Sequence, residues 1–288
     1  MSVQVCTQRR RAELVGAGQP RPGVSPAVAI APNGRAVAVW VGGLGTAQTL
    51  QASVRPPGGQ WSSAVTLATD YGQPVIGIDR SGNAIAAWVA GNLAIDTASL
   101  PAGGTWTKVK TLAAKGQALN LAVNSTGAAI VTWGTRFATL ADSGTVLGAF
   151  ATPVIVGPPP PYPIGHTHVA LNDAGQAALA WTTLNANMAA TRSAGGIWST
   201  PTQLSAKPDG PVDVAIDGAG DAIAVFEQFQ AAGSNYVATV YASKRPAGGT
   251  WGPPAPLSAR GTTPPAPGPS AIAPGPSSSR GKTALPTP

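Results

Sequence analysis

At 288 residues the chain could form one large all-β domain or two ordinary ones, and charged residues make up only 10% of it. Glycine (36) and proline (29) are abundant while glutamate occurs only at Glu13 and Glu227, a balance that favours strands and hairpins over helices. The formal net charge of +7 sits mainly in the two ends, since residues 25–260 hold twelve Lys/Arg against ten Asp/Glu; a basic face for nucleic acid is therefore not expected.

Residues 1–24 read as an N-terminal flank. They carry Arg9, Arg10, Arg11 and Arg21 against Glu13, and they lack the apolar core of a signal peptide. Arg11 to Val15 has the pattern of a fourth strand, and Ser2 to Thr7 that of a shortened third strand before it, the makings of a partial blade. Cys6 is the only cysteine, so neither an intramolecular disulfide nor a cysteine metal site is expected, and the compartment stays unknown. No stretch approaches the ~20 apolar residues of a membrane-spanning helix.

From residue 25 to 260 one unit recurs five times. An apolar strand enters a turn with glycine, and a second apolar strand follows and ends in an aromatic residue. The turn glycines Gly34, Gly82, Gly127, Gly175 and Gly220 are 48, 45, 48 and 45 residues apart, and Trp40, Trp88, Trp133, Trp181 and Phe226 keep that spacing. Asn or Asp at the entrance with glycine in the left-handed region suits a short hairpin. The second strand, as in Ala84-Ile-Ala-Ala-Trp88, is apolar at nearly every position, which predicts cover on both faces. A third strand leads to a Gly-Gly-x-Trp turn at Trp61, Trp106, Trp198 and Trp251, with Phe150 in that place in the third unit. A fourth strand follows, carrying Leu67, Leu112, Val156, Leu204 and Leu257. Four strands per unit, five complete repeats and no helical pattern predict an all-β protein, a β-propeller of four-stranded blades. Residues 261–288 read as a disordered Pro/Ser/Gly-rich tail, although Ser270 to Gly275 echoes the start of a further unit.

The repeat resembles the blades of bacterial β-propellers in the sialidase-like, Asp-box group. The Asp-box pattern Ser/Thr-x-Asp-x-Gly-x-Thr-Trp lies between the third and fourth strands. Ser99, Gly103, Thr105 and Trp106 match it with Pro101 in the Asp position, and Thr191, Gly195 and Trp198 match with Ser193 there. The resemblance implies an extracellular or cell-surface setting. A sialidase-like hydrolase would need an arginine cluster, a Tyr with a Glu partner and an acidic proton donor. Arg55, Arg192 and Arg245 share one repeat column and so should spread around the rim, and no pair of carboxylates flanking a glycosidic bond is evident.

All eight tryptophans fall in the two repeat columns, which predicts wedges between blades more than sugar platforms. His166 and His168 point the same way along a strand, but two histidines do not complete a metal site. The turn carboxylates are too few for calcium. The Gly-Gly turns lead into strands and lack a phosphate-loop ending. No metal, cofactor or nucleic-acid partner is therefore expected. The irregular connections on the opposite side, by contrast, carry Tyr71, Arg136, Tyr162, His166, Glu227 and Tyr236 as candidate ligand-binding residues. The expectation is a non-catalytic binding or scaffold module, more one of binding than of turnover, for a glycan or protein on that face; the alternative is a sialidase-like glycoside hydrolase.

Overall fold

The five recurrent turns close because glycine takes a backbone conformation that other residues resist: φ is +87° at Gly34, +88° at Gly82, +89° at Gly127, +80° at Gly175 and +96° at Gly220. In the computed structural model, which describes residues 23–43, 48–69, 72–135, 138–157, 165–206, 210–232 and 235–258, each turn joins the first two strands of a four-stranded antiparallel sheet. Blade 1 holds β1 (Gly23–Ile30), β2 (Ala36–Gly42), β3 (Thr49–Arg55) and β4 (Val65–Ala68), and blade 2 holds β5 (Val75–Ile78), β6 (Ala84–Val89), β7 (Ile95–Leu100) and β8 (Lys110–Ala113). Blade 3 holds β9 (Gln117–Val123), β10 (Ala128–Gly134), β11 (Thr139–Thr145) and β12 (Val154–Gly157), and blade 4 holds β13 (Thr167–Leu171), β14 (Ala177–Thr182), β15 (Asn187–Arg192) and β16 (Thr202–Ser205). Blade 5 holds β17 (Val212–Ile216), β18 (Ala222–Ala232), β19 (Asn235–Arg245) and β20 (Ala255–Pro256). No helix occurs among the described residues. The arrangement is that of five propeller blades. Apart from residues 23 and 24, which open β1, the expected N-terminal flank and the expected tail at 261–288 lie outside the described residues.

The second strands are apolar on both faces because each is sandwiched. Trp88 enters a cluster with Val37, Val39, Leu50 and Ala52 of blade 1. Trp133 meets Ile95 of blade 2, Trp181 meets Ile130, Ala141 and Val156 of blade 3, and Phe226 meets Ala178, Ala180 and Leu204 of blade 4. Each aromatic thus inserts into the blade before its own, and Trp88, Trp133, Trp181 and Phe226 are fully buried. The close fit shows at Gly157, where a Cβ would stand 2.7 Å from Trp181 Cζ2. Trp106, Trp198 and Trp251 of the Gly-Gly turns pack against the rims of the same clusters, and Phe150 does so in blade 3.

Blade 1 has no preceding blade among the described residues. Val28, the counterpart of Ile76 (5% exposed) by register, is 51% exposed, and Trp40 is only partly buried.

The turns are also tied to one another around the ring. Asn124 Nδ2 donates to Asn172 O at 3.0 Å, Asn172 Nδ2 donates to Asp217 O at 2.9 Å, and Ser125 N donates to Asp173 Oδ1 at 2.9 Å. The entrance Asn and Asp residues thus cap their own turns, and those of blades 3, 4 and 5 also fasten blade 3 to blade 4 and blade 4 to blade 5.

Replacing Trp88 with Ala removes a fully buried wedge and is expected to cost ~3–5 kcal/mol. Trp40→Ala, on the uncovered face, should cost clearly less. Chemical denaturation of the two variants checks this; equal losses would show that the wedge environment does not set the cost.

Candidate functional site

The first strands of successive blades pack on one another, β1 on β5, β5 on β9, β9 on β13 and β13 on β17, so they form the wall around the axis. Their starting ends lie on the side opposite the glycine turns, and there the apolar repeat gives way to polar residues. Asn120 on β9 accepts from Val169 N on β13 at 3.2 Å. His168 on β13 faces blade 5 and pairs with Asp213 on β17, Nδ1 to Oδ1 2.8 Å, across the junction of blades 4 and 5. The close approach of His168 holds the Asp213 carboxyl below its ordinary range, against the opposing effect of burial. The backbone N–H of Val214 adds to the lowering.

Glu227 joins this group through the strand register. Asp213 lies opposite Val225, and Glu227 follows two residues later on the same regular strand, so both carboxylates share one face of the blade 5 sheet. Glu227 lies over Gly210, where a Cβ would stand 2.7 Å from the Glu227 Cβ. Thr182 Oγ1 donates to Gly210 O at 3.3 Å, and Thr182 N donates to His166 O at 3.0 Å. Thr182 therefore ties the exposed His166 loop of blade 4 to the ground beneath Glu227.

Of the six residues singled out in the sequence, Tyr71, Arg136 and Tyr162 lie outside the described residues. His166 and Glu227 reach the same end of blades 4 and 5. Tyr236 sits on β19 opposite Ala231. The stretch from Glu227 to Tyr236, expected as an irregular loop, is largely hairpin: β18 and β19 run 11 residues each, where the second and third strands of the other blades run 6 or 7. The strands continue because their pairing persists without a bulge, with Phe226 stacked on Tyr241 at a centroid distance of 6.2 Å. His168 and Asp213 were missed as a pair because they come from different repeats; the paired position at the start of each first strand was the available signal.

The arginine column stands at the other end. Arg55 Nε donates to Gly59 O at 3.0 Å, and Arg192 Nη1 donates to Gly175 O at 2.9 Å, where burial pushes its pKa down. These arginines brace their own turns and do not converge. His168 is engaged by Asp213, and no group of three His, Cys, Asp or Glu side chains suited to a metal ion occurs among the described residues.

No protein-family model matches the chain, and no curated protein matches it. Solved structures do. AofleA from Arthrobotrys oligospora superposes with a TM-score of 0.51 at 11% identity, covering 82% of this chain and 72% of its own. The intramolecular trans-sialidase from Ruminococcus gnavus gives 0.49 at 8% identity, covering 83% of this chain and 85% of its own. The NanB sialidase from Streptococcus pneumoniae gives 0.47 at 10% identity, covering 80% of this chain, which spans 62% of that one. The likeness is remote and one of fold.

Two expectations are corrected here. The expectation of a non-catalytic binding or scaffold module, more one of binding than of turnover, is less well supported than its hydrolase alternative: the solved structures similar in fold include sialidases. The physical premise fails as well. The sequence showed no neighbouring carboxylates, whereas the register of β17 and β18 sets Asp213 and Glu227 on one face.

Because Asp213 is depressed by His168, the pair stabilises the fold above the ordinary carboxylate pKa, and this contribution is lost as pH falls through the lower folded value. Both side chains are partly exposed, which limits the effect to about 1 kcal/mol or less. His168→Gln should therefore lower the melting temperature slightly at pH 5 and converge with the parent in stronger acid. A difference that grows in acid would contradict the assignment.

Proposed function

We propose that this chain is a glycoside hydrolase whose reaction centre is the Asp213–Glu227 face at the axial end of blade 5. The observation that carries the reading is the pair itself: two carboxylates on one sheet face, one of them held ionised by His168. Asp213 serves as the carboxylate that activates water or steadies the oxocarbenium-like transition state. Glu227, half-buried over Gly210, gives the proton to the leaving oxygen. Diagonal neighbours across an antiparallel pair stand roughly 7–8 Å apart. Carboxyl groups placed so can stand on either side of one glycosidic bond.

The described arginines Arg35, Arg55, Arg80, Arg192 and Arg245 all stand at the glycine-turn end, so neutral glycosides are the first substrate class to assay.

Assay of the folded protein against a panel of neutral aryl glycosides is the test. Turnover is expected, reduced roughly 10²–10⁴-fold by Glu227→Gln and strongly reduced by Asp213→Asn. His168→Gln should shift the acid limb of the pH profile upward, because Asp213 then loses the partner that keeps it ionised. No turnover from a well-folded parent, or turnover indifferent to both carboxylate variants, would overturn the proposal.

A further inference from the structure

A second carboxyl group is placed where the repeat has no need of one. Asp142 on β11 lies opposite Val131, and register puts Ser53, Ala98, Ala190 and Ser243 at its position in the other blades. There the small side chain meets the needs of packing; Ser53 and Ser243, for instance, each donate to a nearby backbone carbonyl, Ser62 O and Gly252 O. Asp142 is 3% exposed, and its Oδ1 has no hydrogen-bond partner among the described residues. It lines a pocket of about 280 Å³ between blades 2 and 3. That is the small end of the range for ligand sites, roughly 300–1,000 Å³.

The pocket presents acceptors. Thr97 Oγ1 donates to Lys110 O at 3.3 Å, and Thr111 Oγ1 donates to Asp96 Oδ1 at 2.6 Å, so these two hydroxyls offer only lone pairs inward. Thr107 Oγ1 already takes the N–H of Ser99 at 2.9 Å. Phe150, Leu112 and Ile85 supply apolar wall. Among the described residues lining the pocket, Lys110 is the only other charged side chain, and it is exposed at the rim, with no ion pair to Asp142.

We infer that the pocket between blades 2 and 3 binds a small primary amine, with its ammonium held by Asp142 and its short apolar stem lying along Phe150. The site is separate from the Asp213–Glu227 face and does not rest on the hydrolase reading. An ammonium supplies the donors that Asp142 and the two threonines lack, and it offsets the cost of keeping a carboxylate buried. Burial raises the Asp142 pKa to about 6, opposed by the backbone N–H groups of Ser143 and Ala151, so occupation is coupled to pH.

The test is a titration of protein carrying ¹³C-labelled aspartate with n-butylamine at constant salt and pH 7.5, following the Asp142 carboxyl resonance. A saturable shift is expected with butylamine and not with 1-butanol or butyrate. Below about pH 6 the affinity should fall about tenfold per pH unit as Asp142 protonates. Asp142→Asn should weaken binding roughly ten- to hundredfold, read from ligand line-broadening. Its melting temperature at pH 7.5 should be equal to or above the parent's, because a carboxyl with a raised pKa destabilises the fold while ionised. Ala149→Leu, at an exposed lining position, should block the pocket while leaving the Asp142 resonance in place. Lys110→Met should preserve or tighten binding. No saturable shift, or equal shifts with 1-butanol, would overturn the inference. So would a Lys110→Met variant that moves the Asp142 resonance by itself and no longer responds to amine, since Lys110 would then be the carboxyl's own counter-ion.

Discussion

The structure depends on the burial of one aromatic side chain per blade inside the blade before it. Trp88, Trp133, Trp181 and Phe226 are each covered on one side by their own sheet and on the other by the preceding one. A blade cannot complete its core alone, so the second strand must be apolar on both faces, and alternation is lost wherever a neighbour exists. Blade 1 makes the same point from the other direction. Its equivalent face has no blade before it among the described residues, and Val24, Val28 and Ile30 are exposed there.

This packing determines where chemistry can occur. The middles of the strands are committed to interblade contact, and the glycine-turn end is committed to a hydrogen-bonded belt in which Asn124 and Asn172 reach the next blade. Polar side chains free of those duties collect at the opposite ends of the strands, where His168 pairs with Asp213 and Glu227 shares the Asp213 face of the blade 5 sheet. Asp142 is the other kind of departure, a carboxyl set within an interblade seam at a position where the other blades carry Ala or Ser.

Much of the fold was legible because its determinants recur. Five Asn/Asp-to-Gly turns and five closing aromatics at 45- and 48-residue spacing specify hairpins and wedges directly. The site was legible only in part, for the converse reason: its members do not recur. His168 and Asp213 are 45 residues apart, which is one repeat length, so their equivalent places in the repeat were the one signal; no other pair of blades carries His and Asp there to reinforce it. Glu227 stands out in the sequence as one of two glutamates, but the residue that shares its face, Asp213, is set by strand register and not by sequence proximity. The extension of β18 and β19 read as loop because the second strands of the other blades stop at or within two residues of the closing aromatic. Asp142 stands within a third strand, at a position that no recurring feature of the repeat marks.

The central claim is that strand register assembles a working pair of carboxylates at the axial end of blade 5. A crystal structure of the protein soaked with a hydrolysis-resistant thioglycoside tests it most directly. The account predicts a sugar ring over Val225, between Asp213 and Glu227, with the glycosidic sulfur toward Glu227. A sugar bound at the glycine-turn end or between other blades, with that face empty, would contradict it.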